Sequence, residues 1–339
     1  MQRLLITGAN GFIGSNLCRY FLDHSYDVAA LVRRSSDLHF LEGMPVTLIY
    51  ADLAQPGPID LPPGIEYVIH AASLVVESMS MEEARRGIHD TTVNLLRCLR
   101  ESRVELKRFV YISTALVLGH RSTNISEENR GAPARGLLPY VKAKEMAEET
   151  LLEHFRADGL PVVILRPTDV YGPNDRTSSL RLLSGIEDGW PVIAGTGNRI
   201  LSFCYVENLA RACHLVCQMR GRNGAAYTVT NGQDITWRQL MGFFQDRLGR
   251  KQRLFVPMIV AYAIAVSMQL LHAVIPAFVM RVSFYPVSKV GRDTSYDIAR
   301  TREELGYQPD QDLERQLETV VQWYLTEKSS GRVSRMGRR

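Results

Sequence analysis

The stretch "RLLITGANGFIG", residues 3–14, decides the fold. Residues 3–7 are apolar and β-favouring and read as a buried strand. Three glycines follow, Gly8, Gly11 and Gly14, in G-x-x-G-x-x-G spacing, and an amphipathic helix is predicted near 14–24. Strand, glycine turn and helix start make the place where backbone without Cβ lets a pyrophosphate approach the amides of a helix N-terminus. The alternative is a tight structural turn, but the glycines sit at the very start of the first βα unit, where the fold needs them, so the stretch is read as the phosphate-binding turn of a dinucleotide fold.

The rest of the chain fits that beginning. "DVAALVR", "VTLIYADL", "YVIHAAS", "RFVYISTA" and "PVVILRPTDV" read as further strands, and helical stretches such as "TTVNLLRCLRES" fall between them. Strands that are apolar throughout and alternate with helices predict an α/β fold, a doubly wound parallel sheet covered on both faces. After Gly172 the pattern is less regular. The expected division is a Rossmann domain over 1–172, with 203–232 returning to it, and a substrate lobe from 173–202 and 233–327.

The chain of 339 residues is 45% apolar and 22% charged, as in a globular protein with a large core. Lys and Arg number 40 against 36 Asp and Glu, but Lys328, Arg332, Arg335, Arg338 and Arg339 follow the last acid, Glu327. The body is therefore near neutral, and no nucleic-acid partner is expected. Residues 328–339 are predicted to be a disordered basic tail, suited to an electrostatic membrane contact or to solubility. The cysteines are five, Cys18, Cys98, Cys204, Cys213 and Cys217, with no C-x-x-C pair. Neither a disulfide framework nor a metal site is expected. With no apolar targeting core before the first strand, a cytoplasmic protein is predicted.

From Leu254 to Met280 the chain carries no Asp, Glu, Lys or Arg. The length could span a bilayer, but Pro257, Gln269, His272 and Pro276 lie within it and globular sequence flanks it. Two readings stay open: a buried helix pair, or an apolar surface that lies on the inner face of a membrane or admits a greasy substrate.

The second strand ends at Arg33 and Arg34, where an acid would hold a ribose 2′-hydroxyl. Arginine suits a 2′-phosphate, so NADP is expected as cofactor, with NAD the second choice and Arg33 favoured over Arg34. Asp52, after the third strand, is placed to meet the adenine amino group or to cap a helix. Tyr140 and Lys144, in "YVKAK", lie at i and i+4 on one helix face. A phenol with a pKa near 10 needs help to exchange protons at neutral pH, and a nearby ammonium gives it by favouring phenolate.

In order and spacing, "TGANGFIG", "ADL", "HAAS", "YISTALVLG", "YVKAK" and "LRPTDVYGP" resemble the extended short-chain dehydrogenase/reductase family along nearly the whole chain. The resemblance implies that Tyr140 passes the proton, that Lys144 also holds the nicotinamide ribose, and that Thr114 orients the substrate oxygen, with Ser113 as the backup. It further implies cofactor contacts from Gly8, Asn10, Gly11, Phe12, Ile13, Gly14, Asp52, Leu53, Ala71, Ala72, Ser73, Tyr140, Lys144, Pro167 and Val170, and a homodimer. Two positions depart from the family pattern: Ile88 replaces an Asn, and Leu118 replaces a Tyr, a change expected to grease the pocket.

The branch is read from the last third. Asp169 stands where nucleotide-sugar enzymes carry an Asn that holds the diphosphate, and an acid there is expected to repel one. Leu201 and Ser202 replace a second polar anchor. "SFCYVENLARACHLV", "AYTVTNGQDITWRQL" and "DTSYDIARTREELGY" are similar to the 3β-hydroxysteroid dehydrogenase branch, and "LVRRSSDL" to NADPH-using relatives of dihydroflavonol reductase. The implied activity is hydride transfer between NADP and a small lipophilic hydroxy or keto compound. A nucleotide-sugar epimerase, dehydratase or reductase and a non-catalytic NADP-binding sensor are the alternatives.

Overall fold

The computed structural model describes all residues except 77–78, 135–137, 190–192, 251–254, 275–283 and 334–339. Twelve strands are described: β1 Arg3–Thr7, β2 Asp27–Val32, β3 Thr47–Tyr50, β4 Ile65–His70, β5 Arg108–Ile112, β6 Val162–Pro167, β7 Asp169–Tyr171, β8 Ile193–Ala194, β9 Ile200–Tyr205, β10 Ala226–Val229, β11 Asp234–Thr236 and β12 Phe255–Val256. The helices are α1 Phe12–Asp23, α2 Met81–Ala84, α3 Asp90–Glu101, α4 Pro139–Asp158, α5 Ser179–Glu187, α6 Val206–Gln218, α7 Trp237–Arg247, α8 Met258–Val274, α9 Phe284–Val290, α10 Ala299–Leu305 and α11 Leu313–Ser329.

Seven strands form one sheet in the order β10-β6-β5-β4-β1-β2-β3, every pairing parallel. Because successive side chains point to opposite faces, the alternating residues of an all-apolar strand feed two cores. Leu4 and Ile6 of β1 join Leu17 and Phe21 of α1 and Leu209 and Cys213 of α6 on one face. Leu5 joins Leu95 and Leu99 of α3 and Leu151 of α4 on the other. This is the doubly wound α/β arrangement, and its strand order reverses between β1 and β4, so a crevice opens there at the carboxyl ends.

A second core gathers α5, β9, α7 and α11 around Leu183, Phe203, Phe244 and Val321. "PVVILRPTDV" is not one strand: β6 stops at Pro167, and Asp169–Tyr171 pairs instead with Phe203–Tyr205 of β9. That switch carries the chain from the sheet into the lobe.

Three expectations are corrected. Lys328 lies within α11 and pairs with Glu187 at 2.7 Å, and Arg332 pairs with Glu327 at 2.9 Å, so the beginning of the basic tail is ordered; residues 334–339 lie outside the described residues. Asp52 caps no helix: its Oδ1 accepts from the Ala54 N–H at 3.0 Å inside a turn. The uncharged stretch is not a buried helix pair in its described part. Ala261 and Ala265 of α8 are buried, but Ile259 is 80% and Leu270 65% exposed. Among the described residues no helix is long and apolar enough to cross a membrane. Leu254 and residues 275–280 of that stretch lie outside the described residues.

Candidate active site

The glycine loop is built as a cradle. Gly8 has φ +64°, and a Cβ there would lie 2.8 Å from the Ala72 Cα. A Cβ on Gly14 would lie 2.1 Å from the Gly8 carbonyl oxygen, so only glycine lets α1 pack this close to its strand. The N-cap of α1 is Gly11, which offers no capping side chain, and no acid occupies the first turn. Asn10 lies in the turn between these glycines, and Phe12 and Ile13 open α1. The first-turn amides, helped by the helix dipole, suit an anion, so these residues fit a dinucleotide pyrophosphate.

The other expected cofactor residues surround the same crevice. Arg33 and Arg34 are exposed just beyond β2, and the Arg34 guanidinium lies over the Tyr50 ring, 5.6 Å from its centroid. The nearest acid beyond β2, Asp37, pairs with Arg176 at 3.0 Å. Asn94 donates to the Leu53 carbonyl at 2.9 Å and so fixes the turn that holds Asp52. Ala71, Ala72 and Ser73 follow β4, and the Ser73 hydroxyl is buried with no protein partner. Pro167 ends β6, and Val170 of β7 packs against the first core.

Beneath Ala72 runs a chain of hydrogen bonds whose directions are set by its ends. The Ala72 N–H donates to Thr7 Oγ1 at 3.1 Å, and Thr92 Oγ1 donates to the Ile88 carbonyl at 3.0 Å. Thr7 therefore donates to His70 Nδ1 at 2.7 Å, and His70 Nε2–H donates to Thr92 at 3.1 Å. His70 is wholly buried, and burial followed by the charge of Lys144 pushes its pKa down to about 3, so it is neutral. Ile88 lies in one π-helical turn, Arg85–His89, and packs with Ala84, Ala143 and Tyr140. Leu118 is buried beside Tyr140, and the aromatic ring in that cluster comes from Tyr296, whose hydroxyl donates to the Gly119 carbonyl at 2.7 Å.

Tyr140 and Lys144 sit in the first two turns of α4. Lys144 Nζ donates to the Ile112 carbonyl at 2.6 Å and lies 4.8 Å from the Tyr111 ring centroid and 5.8 Å from that of Tyr140. Burial pushes its pKa down to about 7, against the charge of Glu148. Tyr140 is raised above the ordinary phenol value, first by desolvation and then by the charge of Asp169. Thr114 follows β5 by two residues, caps the short helical turn Ala115–Leu118 and accepts from the Leu116 N–H at 3.3 Å, which leaves its own hydroxyl hydrogen free to donate.

Sequence reasoning missed Glu148 and Arg166. Glu148 continues the Tyr140–Lys144 spacing by one more turn, and Arg166 is the lone charge inside the apolar "VVILRP". A buried cation must be paired, and Arg166 donates to Glu148 at 2.6 and 3.1 Å and to Glu127 at 2.9 Å. Asp169 also differs from expectation. It forms an ion pair with Lys289 of α9, so it does not present a bare negative charge to a diphosphate.

This fold and site define a class: NAD(P)-dependent enzymes of the short-chain dehydrogenase/reductase type. The chain belongs to the NAD dependent epimerase/dehydratase family, which it matches over residues 4–230. It is 26% identical to the 4-hydroxy-2-methyl-3-oxo-4-farnesyl-3,4-dihydroquinoline-1-oxide ketoreductase of Stigmatella aurantiaca, over 90% of this chain and 92% of that one. It is 28% identical to sterol demethylase protein B of Methylococcus capsulatus, over 90% and 93%. The fold is similar to that of UDP-glucuronic acid 4-epimerase from Bacillus cereus in complex with NAD, with a TM-score of 0.74, 21% identity and coverage of 96% and 98%.

Proposed function

We propose that this protein is an NADP-dependent dehydrogenase or reductase acting on a hydroxyl or carbonyl of a lipophilic compound, sterol-like or a long-chain keto compound. The observation that carries the reading is α8. It has no charged residue and turns Ile259, Ile264 and Leu270 outward beside α9, the helix that reaches Asp169 in the cleft. An apolar wall or a lipid contact at that place suits a greasy substrate. The two relatives above, named for a farnesyl-bearing quinoline and for sterol, point the same way.

Nicotinamide, when bound, supplies or takes the hydride. The chain supplies the rest. Thr114 donates to the substrate oxygen and orients it. Tyr140 gives that oxygen a proton in reduction or removes one in oxidation. Lys144, fixed by the Ile112 carbonyl, sets the position of charge next to the ring. Arg33 and Arg34 select the 2′-phosphate.

The nucleotide-sugar reading keeps one specific support, the cancellation of Asp169 by Lys289, which removes a repulsion against a diphosphate. A screen of cofactor oxidation with steroid, 3-oxo acid and UDP-sugar panels, NADPH against NADH, separates the two. Turnover confined to UDP-sugars would discard the lipophilic reading, and loss of turnover in Tyr140→Phe checks the proton role.

A further inference from the structure

Asp169 and Lys289 are 120 positions apart in the chain and meet across the cleft. The register Ile112↔Leu165 between β5 and β6 places Pro167 level with Thr114, and Asp169 follows two residues on. Asp169 has left that strand for β7, where it pairs in register with Phe203; the adjoining Ser202 of β9 accepts from the Tyr296 N–H, and Tyr296 packs in one cluster with Tyr140. Lys289 arrives from the other side on α9, whose Ser288 hydroxyl accepts from Arg121. The pair is half-open to solvent, with side-chain exposures of 41% for Asp169 and 23% for Lys289.

We propose that Lys289 is a positioning residue for the reaction: by pairing with Asp169 it holds α9 across the cleft and screens that carboxylate from Tyr140. The proposal rests on Tyr140 as the proton-transfer group. The titratable groups placed about Tyr140 are Lys144 on α4, Tyr111 of β5, Asp169 of β7 and Tyr296 from the segment after α9, with Glu148 one turn beyond Lys144 and Lys289 behind Asp169. His70 of β4 lies behind Tyr111, 5.7 Å between ring centroids. Glu148 is committed to Arg166 and Ser113, and Lys144 to Ile112. Asp169 is the carboxylate whose charge opposes ionisation of both Tyr140 and Tyr296. Its neutralisation depends on a lysine from the lobe. Docking of α9 and the readiness of Tyr140 to release its proton are therefore linked through one ion pair. A like charge left uncompensated at this range favours the neutral phenol.

The test titrates Tyr140 directly and needs no substrate. Protein labelled with 13C at the tyrosine ζ carbon and saturated with NADP⁺ is followed by NMR to pH 11.5, with Tyr140→Phe assigning the resonance. Lys289→Met should raise the Tyr140 midpoint by about one pH unit, a tenfold loss of phenolate at fixed pH. Lys289→Arg should leave it in place, and Lys289→Met combined with Asp169→Asn should restore it. An unchanged midpoint in Lys289→Met, or a rise that Asp169→Asn does not reverse, overturns the proposal. So does a Tyr140 that stays protonated to pH 11.5 in every variant, since there is then no phenolate for Asp169 to oppose. Failure of the underlying reading shows separately, as retained turnover in Tyr140→Phe.

Discussion

Ser113 Oγ donates to Glu148 Oε1 at 2.5 Å, inside the core and one residue away from Thr114. The neighbouring hydroxyls therefore have different work. Ser113 completes the shell of a buried carboxylate that also receives Arg166, whereas Thr114 keeps a hydrogen to donate. Thr114→Ala should lower kcat about 100-fold with little change in stability, the usual loss when an orienting donor is removed. Ser113→Ala should cost about 1–2 kcal/mol of stability, from an acceptor left short of a donor, and leave kcat within about threefold. Unfolding midpoints and kcat measured on both variants decide it; a kcat loss in Ser113→Ala as large as in Thr114→Ala would remove the distinction.

The cofactor preference rests on Arg33 and Arg34. A charge-assisted contact to a 2′-phosphate is worth about 2–3 kcal/mol, so replacing both with Ala should weaken NADPH roughly 30- to 150-fold and NADH less than about threefold. Of the single variants, Arg34→Ala also removes the stacking on Tyr50. Calorimetric titration with both cofactors measures the effect. Equal losses for NADPH and NADH would show that neither arginine reads the phosphate.

How much of this was legible depends on range. Strands β1, β2, β4, β5 and β6 are visible in the sequence because they are buried on both faces and so are written in nearly continuous apolar residues, whereas the edge strand β3, exposed except at Ile49, is visible by its β-favouring residues alone. The glycine loop is visible because its demand is local: a Cβ at Gly14 has nowhere to go. What stayed hidden is pairing between distant segments. β7 is three residues long and defined only by its partner β9. The ion pair of Asp169 is made by Lys289, and the order at Arg332 follows from Glu327 and the helix before it. Glu148 was within reach, since it repeats the four-residue step of Tyr140 and Lys144, and the lone Arg166 in an apolar strand calls for an acid.

His70 makes the fold acid-sensitive in a defined window. Its folded pKa, about 3, lies below the unfolded value of 6.5, so below pH 6.5 the unfolded chain binds the extra proton and stability falls as pH falls. At pH 4.5 the loss from this group is about 2–3 kcal/mol relative to pH 7, and it is complete near pH 3. His70→Gln, which cannot titrate there, should start less stable at pH 7 because the hydrogen-bond chain from Ala72 to Ile88 is disturbed. It should then lose less between pH 7 and 4.5. Urea unfolding at the two pH values reads the difference; wild type and variant falling in parallel would exclude His70 as the acid-sensitive group.

The exposed face of α8 is the last feature with a measurable consequence. Ile259, Ala263, Val266 and Leu270 follow i, i+4, i+7, i+11 spacing and all lie exposed, while Ala261 and Ala265 face inward. That is an apolar stripe turned away from its own protein. If it lies on a lipid surface, one of the two roles the proposed function gives it, the native chain should co-sediment with vesicles of mixed neutral and anionic phospholipid. Ile259→Glu with Leu270→Glu should then reduce partitioning at least about tenfold, since burying either side chain is worth about 1.5–3 kcal/mol and a carboxylate reverses the gain. Both positions are solvent-facing, so the double variant should keep its unfolding midpoint. A native chain that stays in the supernatant would take the membrane out of the account and leave α8 as a wall for the substrate alone.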